Sequence, residues 1–572
     1  MPAQPTRTPT SPRGGRRSPL RLVVQLFSIA ALTAGCVVSQ QEDASFDDGI
    51  PPALGASAIE ALPRRICSAT DSELLRRIAQ GANRKRSGDI QLVPPESLQA
   101  GGLSHASPFD TTQQVPLLVA GEGIVRAGVY GRRVTLADVA PTAAAILQFP
   151  GFRAPDGSAL SEALLPAAAR DVPRLVVTVI WDSAGTDLLD RWDEGWPRLR
   201  ELADRSAWFT DAALDASPSN TPPSHATIGT GAFPRTHGIP DEYVRFDGRI
   251  ERPLHLGPRV LRVPTLGDRY DLAMGNESLV GTVGSLSAHL LMMSRGSFVP
   301  DADRDLAVTR EPKDSATGGD DSAPRWQLSE EMAPYYAFPA YANDPSMDDR
   351  FLTELEALDR ADGADDGRWR DHEIASLLGG WDTPARSAWQ TDMVEAVIRR
   401  EGFGADDVPD LLYVNYKMLD SLGHSYSADG VELLDGLRAQ DRELERLVRI
   451  LDERVGTGRW AMILTADHGM ARDPAVTGAD RYDVTELTAS IEEAFGAGVV
   501  QQMRPTQIWL DTEALRAEDS SVEEVAAFLM AMPRAAVVRG DGAIERPDAP
   551  AFLAAIPTTM LGTLPCAHGP ES

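Results

Sequence analysis

The chain has 572 residues, a formal net charge of −29, 42% hydrophobic residues and 24% charged ones. Those proportions are globular and exclude disordered, collagen-like and multi-span membrane proteins. The acidic excess excludes a general binder of nucleic-acid duplexes, which needs clustered Lys and Arg, and leaves any phosphate chemistry to local groups such as a metal.

In chain order, residues 1–36 carry Arg7, Arg13, Arg16, Arg17 and Arg21 and no acid. The apolar run from Leu22 to Gly35 is too short to span a bilayer comfortably, so this stretch predicts an export signal. Leu32-Thr33-Ala34-Gly35-Cys36 resembles a bacterial lipobox with its Leu one position early, which predicts lipidation of Cys36 and attachment to a membrane of the cell envelope. Ordinary signal cleavage is the alternative. Residues 37–57 are polar and punctuated by Pro and Gly, as a flexible tether is. Two cysteines then remain, Cys67 and Cys566, an even number that in an oxidising compartment suggests one disulfide; two separate thiols are the alternative.

From residue 58 to 572 the pattern predicts one large catalytic domain. Strands are expected at Val115–Ala120, Leu175–Trp181, Leu411–Tyr416 and Ala461–Thr465, and helices at Ala137–Leu147, Trp196–Ser206, Val431–Val455 and Val522–Met532. This alternation predicts an α/β fold with a mostly parallel central sheet and helices on both faces. Residues 240–400, rich in Gly, Asp, Pro and Met, are expected to be cap insertions above the sheet, with 171–239 and 401–572 as the core. Ligands of such sheets sit at the carboxyl ends of the strands.

Chemistry-bearing residues collect at those ends. Asp182 follows the strand Leu175–Trp181. In Asn220-Thr221-Pro222-Pro223-Ser224-His225, the paired prolines suit a first helical turn and put Thr221 at the helix entrance, facing free backbone donors and the positive end of the dipole. Asp420 and His424 follow Leu411–Tyr416, and Asp467-His468-Gly469 follows Ala461–Thr465. Each alone is explained as a capping residue. Together, several buried carboxylates are costly unless cations neutralise them, and oxygen and imidazole donors suit zinc.

These motifs resemble the alkaline phosphatase superfamily, most closely its type I phosphodiesterase/nucleotide pyrophosphatase branch. The carrying residues are Ile180-Trp181-Asp182, then Asn220 to His225 running into Thr230-Gly231-Ala232-Phe233-Pro234-Arg235-Thr236-His237-Gly238-Ile239, then Asp420 with Gly423-His424, and Thr465-Ala466-Asp467-His468-Gly469. The resemblance implies two divalent metal ions, usually zinc: one held by Asp182, Thr221, Asp467 and His468, the other by Asp420, His424 and one further His. In the family that His lies after Asp-His-Gly. Here the accompanying pattern lies upstream, as Ser104-His105-Ala106-Ser107-Pro108, Val115-Pro116-Leu117-Leu118-Val119-Ala120-Gly121 and Asp138-Val139-Ala140-Pro141-Thr142. The chain is therefore expected to be circularly permuted, with 58–170 as the moved segment and His105 as the seventh ligand. His568, in Cys566-Ala567-His568-Gly569, is the rival. The new ends would fall near Cys67 and Cys566, where a bridge would close the seam.

The implied reaction is hydrolysis of a small phosphoester by in-line attack of Thr221. Thr rules out a formylglycine sulfatase, and Ser183, in Asp182-Ser183-Ala184, is expected to be a decoy rather than the nucleophile. The remaining His225 and His237 are expected to hold local structure, and His255, His289 and His372 to serve packing or the surface. Ser285-Leu286-Ser287-Ala288-His289 lacks the Lys and Arg with which related monoesterases grip a dianion, which favours a diester. Against this, Glu242 stands where the family has a phosphate-binding Asn, and a monoester, a phosphonate or a non-catalytic binding lipoprotein stay open.

Overall fold

The computed structural model describes residues 56–566 except 285, 311–325, 362, 377–381, 540–543 and 545. The export signal with Cys36, residues 37–55 of the tether, and His568 lie outside the described residues. Eight strands form the central sheet: β1 Leu117–Ala120, β2 Gly128–Thr135, β3 Leu175–Trp181, β4 Ala207–Ala213, β5 Val280–Gly284, β6 Leu306–Thr309, β7 Asp410–Tyr416 and β8 Trp460–Thr465. Their spatial order is β6-β5-β7-β3-β8-β1-β4-β2. From β6 to β8 every pairing is parallel, whereas β1 runs antiparallel to both β8 and β4. The sheet is thus mostly parallel.

Composition explains the centre. The runs LVVTVIW, DLLYVNY and WAMILT of β3, β7 and β8 are buried at every position, as strands covered on both faces are. Helices α1 Thr221–Thr230, α2 Leu266–Ala273, α3 Ala385–Val397, α4 Met418–Tyr426 and α5 Val431–Leu451 connect and cover them. Along α5 the buried Leu433, Leu437, Leu444, Leu447 and Leu451 recur at helical spacing. Gly436 lets α5 lie close to α4, because a Cβ there would meet Leu422 Cδ1 at 2.4 Å and Met418 Sδ at 2.8 Å. That contact seats the helix that carries Asp420 and His424.

Residues 240–400 are more than insertions. They supply β5 and β6 of the central sheet and the nearly fully buried α3. The strands are short, four and five residues, and β5 (VGTVG) carries two glycines, so neither stands out as a run. The front and back of the chain also build a core of their own. Leu62, Ile66, Ile78 and Ile90 pack with Ile508, Phe528 and Ile556, beneath an antiparallel sheet of order Val500–Arg504, Gln507–Leu510, Ile90–Val93, Ala554–Pro557. Cys67 and Cys566 are disulfide-bonded in this region, with Cα atoms 5.6 Å apart. The helix expected at Trp196–Ser206 is shorter, Pro197–Ala203, because Pro197 fixes its start and the chain turns into β4. No described helix is long and apolar enough to cross a membrane.

Candidate metal centre and nucleophile

Three parallel strands deliver the site at their carboxyl ends. β3 runs into Asp182, β7 into Lys417 and the first turn of α4, and β8 into Asp467-His468-Gly469. Asp182, Asp467 and His468 are fully buried, and Asp420 is 4% exposed. Gly469 is required by closeness: a Cβ would lie 2.4 Å from the Thr111 carbonyl oxygen. Thr221 is the first residue of α1, and Asn220 before it makes no side-chain capping hydrogen bond. Because Pro222 and Pro223 follow, two of the expected free N–H donors are missing there. The dipole remains, but the group that meets the Thr221 hydroxyl is a cation.

That cation is Lys417, which no sequence motif marks. Its Nζ donates to Thr221 Oγ1 at 2.9 Å and Asp182 Oδ1 at 2.9 Å, and lies 2.8 Å from Asp420 Oδ2. Burial pulls its pKa down, yet Asp182, Asp420 and Asp467 outweigh this and raise it. One ammonium therefore faces three carboxylates. Asp467 keeps Oδ2 without a hydrogen-bond partner, and burial, then the charge of Asp182, pushes its carboxyl up to about 8. Burial also pushes on Asp420, but Lys417, His424 and His105 hold it well below the ordinary range.

The structure brings the three expected imidazoles to these carboxylates. His105 Nε2 lies 3.6 Å and His424 Nε2 3.5 Å from Asp420 Oδ1. His468 Nε2 lies 3.2 Å from Asp467 Oδ2 and 3.3 Å from Thr221 Oγ1. The rings of His105 and His468 stack with centroids 3.9 Å apart. In each ring Nδ1 meets a main-chain carbonyl: Ser219 at 2.6 Å for His105, Leu103 at 2.7 Å for His424 and Gly469 at 3.0 Å for His468. A carbonyl can only accept, so Nδ1 carries a proton in each ring. In His105 and His468, which burial keeps neutral, the Nε2 lone pair turns inward, which is how metal-bound histidines are held. At His424 burial is outweighed by Asp420, which raises it to about 8, so that its Nε2 also holds a proton toward Asp420 until a metal replaces it. Burial, then His468, keeps His105 neutral by lowering its pKa to about 3. Inward lone pairs beside carboxylate oxygens repel unless a cation lies between them. His105, Asp420 and His424, and separately Asp182, Asp420 and His468, offer donor atoms within 4.8 Å of one another. The donors fit a metal pair.

Other side chains hold this arrangement. His225 joins its Nδ1 to the Thr221 carbonyl at 2.9 Å, and Asn415 Nδ2 reaches both His225 Nε2 and Asp182 Oδ2 at 3.0 Å. His289 is buried behind His225, Nδ1 to Nε2 at 3.2 Å, so its role is packing and not surface. Ser183 Oγ donates to Asp420 Oδ1 at 2.7 Å and its amide to Asp467 Oδ1 at 3.2 Å. Glu242 does not stand bare, because Arg504 pairs with it, while the neighbouring Asp241 accepts from Asn220 Nδ2 at 2.7 Å. A cavity of about 460 Å³ borders His105, with Leu98, Phe109, Arg472 and Tyr482 among its walls.

The chain is similar to several known proteins. The chain is 24% identical over 424 residues to a protein of Myroides odoratus named calcium-transporting ATPase, a match spanning 64% of this chain and 74% of that one. It is 27% identical over 157 residues to alkaline phosphatase PafA of Elizabethkingia meningoseptica, spanning 26% of this chain and 29% of the relative. A solved structure of a PafA variant aligns with TM-score 0.49 at 20% identity, over 64% of this chain and 77% of that one. Residues 176–547 match the family model for type I phosphodiesterase / nucleotide pyrophosphatase. With most of its length inside that match and candidate metal donors gathered around a threonine, the chain is a phosphoric ester hydrolase and belongs to the type I phosphodiesterase / nucleotide pyrophosphatase family.

Proposed function

We propose that the chain is an exported phosphodiesterase with Thr221 as nucleophile and two zinc ions, one at Asp182, Thr221, Asp467 and His468, the other at Asp420, His424 and His105. The observation that carries this reading is the common anchoring of three imidazoles through Nδ1, with every Nε2 aimed at a buried carboxylate or at Thr221. Zinc there supplies Lewis acidity for the attacking and leaving oxygens. The chain's own groups do the rest. Asn415 and His225 fix Asp182 and the Thr221 main chain, and Lys417 donates to Thr221 Oγ1, stabilising negative charge on it as it attacks phosphorus in line. As the Thr221 oxygen, its proton lost to solvent, bonds to phosphorus, the P–O bond to one alcohol of the diester breaks and that alcohol leaves with a proton from water. A second water then adds to the phosphothreonine, the bond to Thr221 Oγ1 breaks, Thr221 is reprotonated and the phosphomonoester is released.

Permutation is part of the proposal. The family match begins at residue 176, inside β3, so residues 56–175, which carry His105 and β1, stand outside it. The closeness of the described chain ends supports a rearranged order. Export through a lipidated Cys36 is supported by the Cys67–Cys566 bridge, since disulfides persist in oxidising compartments; metabolic palmitate labelling that survives Cys36→Ala would remove the anchor. A monoester is the second reading on one observation, the buried Arg386, whose charge bears on Asp420 and Asp182. Zinc-loaded protein is assayed with bis-p-nitrophenyl phosphate, p-nitrophenyl phosphate and a phosphonate monoester. The diester is expected to give the highest kcat/KM; a monoester preference favours the second reading, and inertness on all three ends the proposal.

A further inference from the structure

A second group of carboxylates lies at the other end of the sheet. Asp271 is in the last turn of α2, and Asp303 and Asp305 lie in the segment entering β6, the edge strand. The catalytic residues follow the carboxyl ends of β3, β7 and β8. Asp303 and Asp305 precede the amino end of a strand parallel to them, so the two groups belong to opposite ends of the sheet.

Each of Asp271, Asp303 and Asp305 offers a carboxylate oxygen within 4.8 Å of the others. Acidic residues often gather at a surface without consequence, but Asp271 is 2% exposed and its Oδ1 has no hydrogen-bond partner. A buried carboxylate oxygen left unpaired is costly. Asp305 is 5% exposed and accepts a hydrogen bond from Ser294 Oγ. The nearby cation is already taken: Arg295 Nε donates to Asp268 Oδ2 at 2.8 Å, and its amide to Asp268 Oδ1 at 2.6 Å. The charges bearing on Asp271 are both acidic, Asp303 and Asp268, and with burial they push its carboxyl up to about 7. Asp271 also sits at the carboxyl end of its helix, where the dipole adds negative potential.

We propose that Asp271, Asp303 and Asp305 bind a calcium ion at the edge of the sheet, away from the catalytic centre. The donor set is all oxygen, which selects a hard cation over zinc. Oxygens up to 4.8 Å apart fit on opposite sides of an ion at Ca–O distances of about 2.4 Å. Asp303 is exposed, so water completes the coordination from its side. The ion joins α2 to the edge strand and satisfies the buried Asp271 oxygen.

The test uses full-length protein with zinc already loaded, titrated with calcium chloride by calorimetry. One calcium per chain is expected, with a dissociation constant of about 10⁻⁵ to 10⁻³ M. Asp303→Asn and Asp271→Asn are each expected to weaken it about tenfold or more. Absence of calcium binding at about 10 mM, or a loss below about tenfold in either folded variant, overturns the proposal. Asp303 is exposed, so Asp303→Asn folds and decides alone if Asp271→Asn does not. The zinc-dependent hydrolysis is untouched by either result.

Discussion

Lys417→Met separates the two ways in which the site's carboxylates can be neutralised. The substitution keeps length and removes the charge that reaches Asp182, Asp420 and Thr221 at 2.9, 2.8 and 2.9 Å. Without metal, Asp182 and Asp420, both buried, lose their ammonium, and breaking a buried pair in this way costs about 3–5 kcal/mol. With zinc bound, the same carboxylates face two divalent cations. What is then lost is little more than one hydrogen bond to Thr221, about 1 kcal/mol. The difference closes a thermodynamic cycle: Lys417→Met must bind zinc more tightly by about 2–4 kcal/mol, a gain of tens- to several-hundredfold. Urea unfolding midpoints of both proteins, in chelator and in zinc, measure one side of the cycle, and competition with a zinc indicator measures the other. An equal stability loss with and without zinc, or unchanged zinc affinity, refutes the shared use of these oxygens by ammonium and metal.

Thr221→Ala is expected to lower kcat at least about a thousandfold in single-turnover assays, while Thr221→Ser keeps measurable turnover; near-normal rates for Thr221→Ala would remove the nucleophile. His105→Ala is expected to bring zinc content from about two ions per chain to about one, by elemental analysis of folded protein; unchanged content would detach His105 from the site. In calcium-free buffer, Asp271, raised to about 7 from its ordinary 3.8, holds a proton in the folded chain that the unfolded chain has lost between those values. Stability therefore falls as pH rises from about 4 to about 7 and levels off above, and the pH dependence of melting temperature across that window should flatten in Asp271→Asn.

The centre of the fold was legible because β3, β7 and β8 are unbroken apolar runs, each ending near an acid. Asp420 and Asp467 were legible for the same reason, since they sit a few residues past a strand, whereas Thr221 was marked by the paired prolines that open its helix. Lys417 was not, because a single Lys after a strand has no pattern; its meaning comes from β3 and α1 arriving beside it. The pairing of Glu242 with Arg504 joins residues far apart in the chain, and nothing near either marks it. β5 and β6 were hidden by glycines and brevity inside a stretch of low periodicity. At Thr221 the backbone offers less than a helix entrance usually does, since the prolines that place the helix also remove its donors.

Charge balance gives the last constraint on the substrate. With metal bound and all three carboxylates ionised, Asp182, Asp420 and Asp467 would bring three negative charges and Lys417 one positive, so two divalent ions would leave the site two charges positive. An ionised Thr221 oxygen and the single charge of a diester cancel that excess, whereas a dianionic monoester leaves one negative charge in a largely buried place, which is costly. Arg386 is the group able to absorb it. It is buried, its Nη1 donates to Ser421 Oγ at 2.7 Å, and burial lowers its pKa to about 9 against the pull of Asp382, Asp420 and Asp182. If its charge reaches the phosphoryl oxygens, Arg386→Met must lower monoester kcat/KM by about tenfold more than diester kcat/KM, with Arg386→Lys restoring part of the difference. Equal losses on both esters would mean that Arg386 only supports α4 through Ser421, leaving the excess charge of a monoester uncompensated and the diester as the substrate the site is built for.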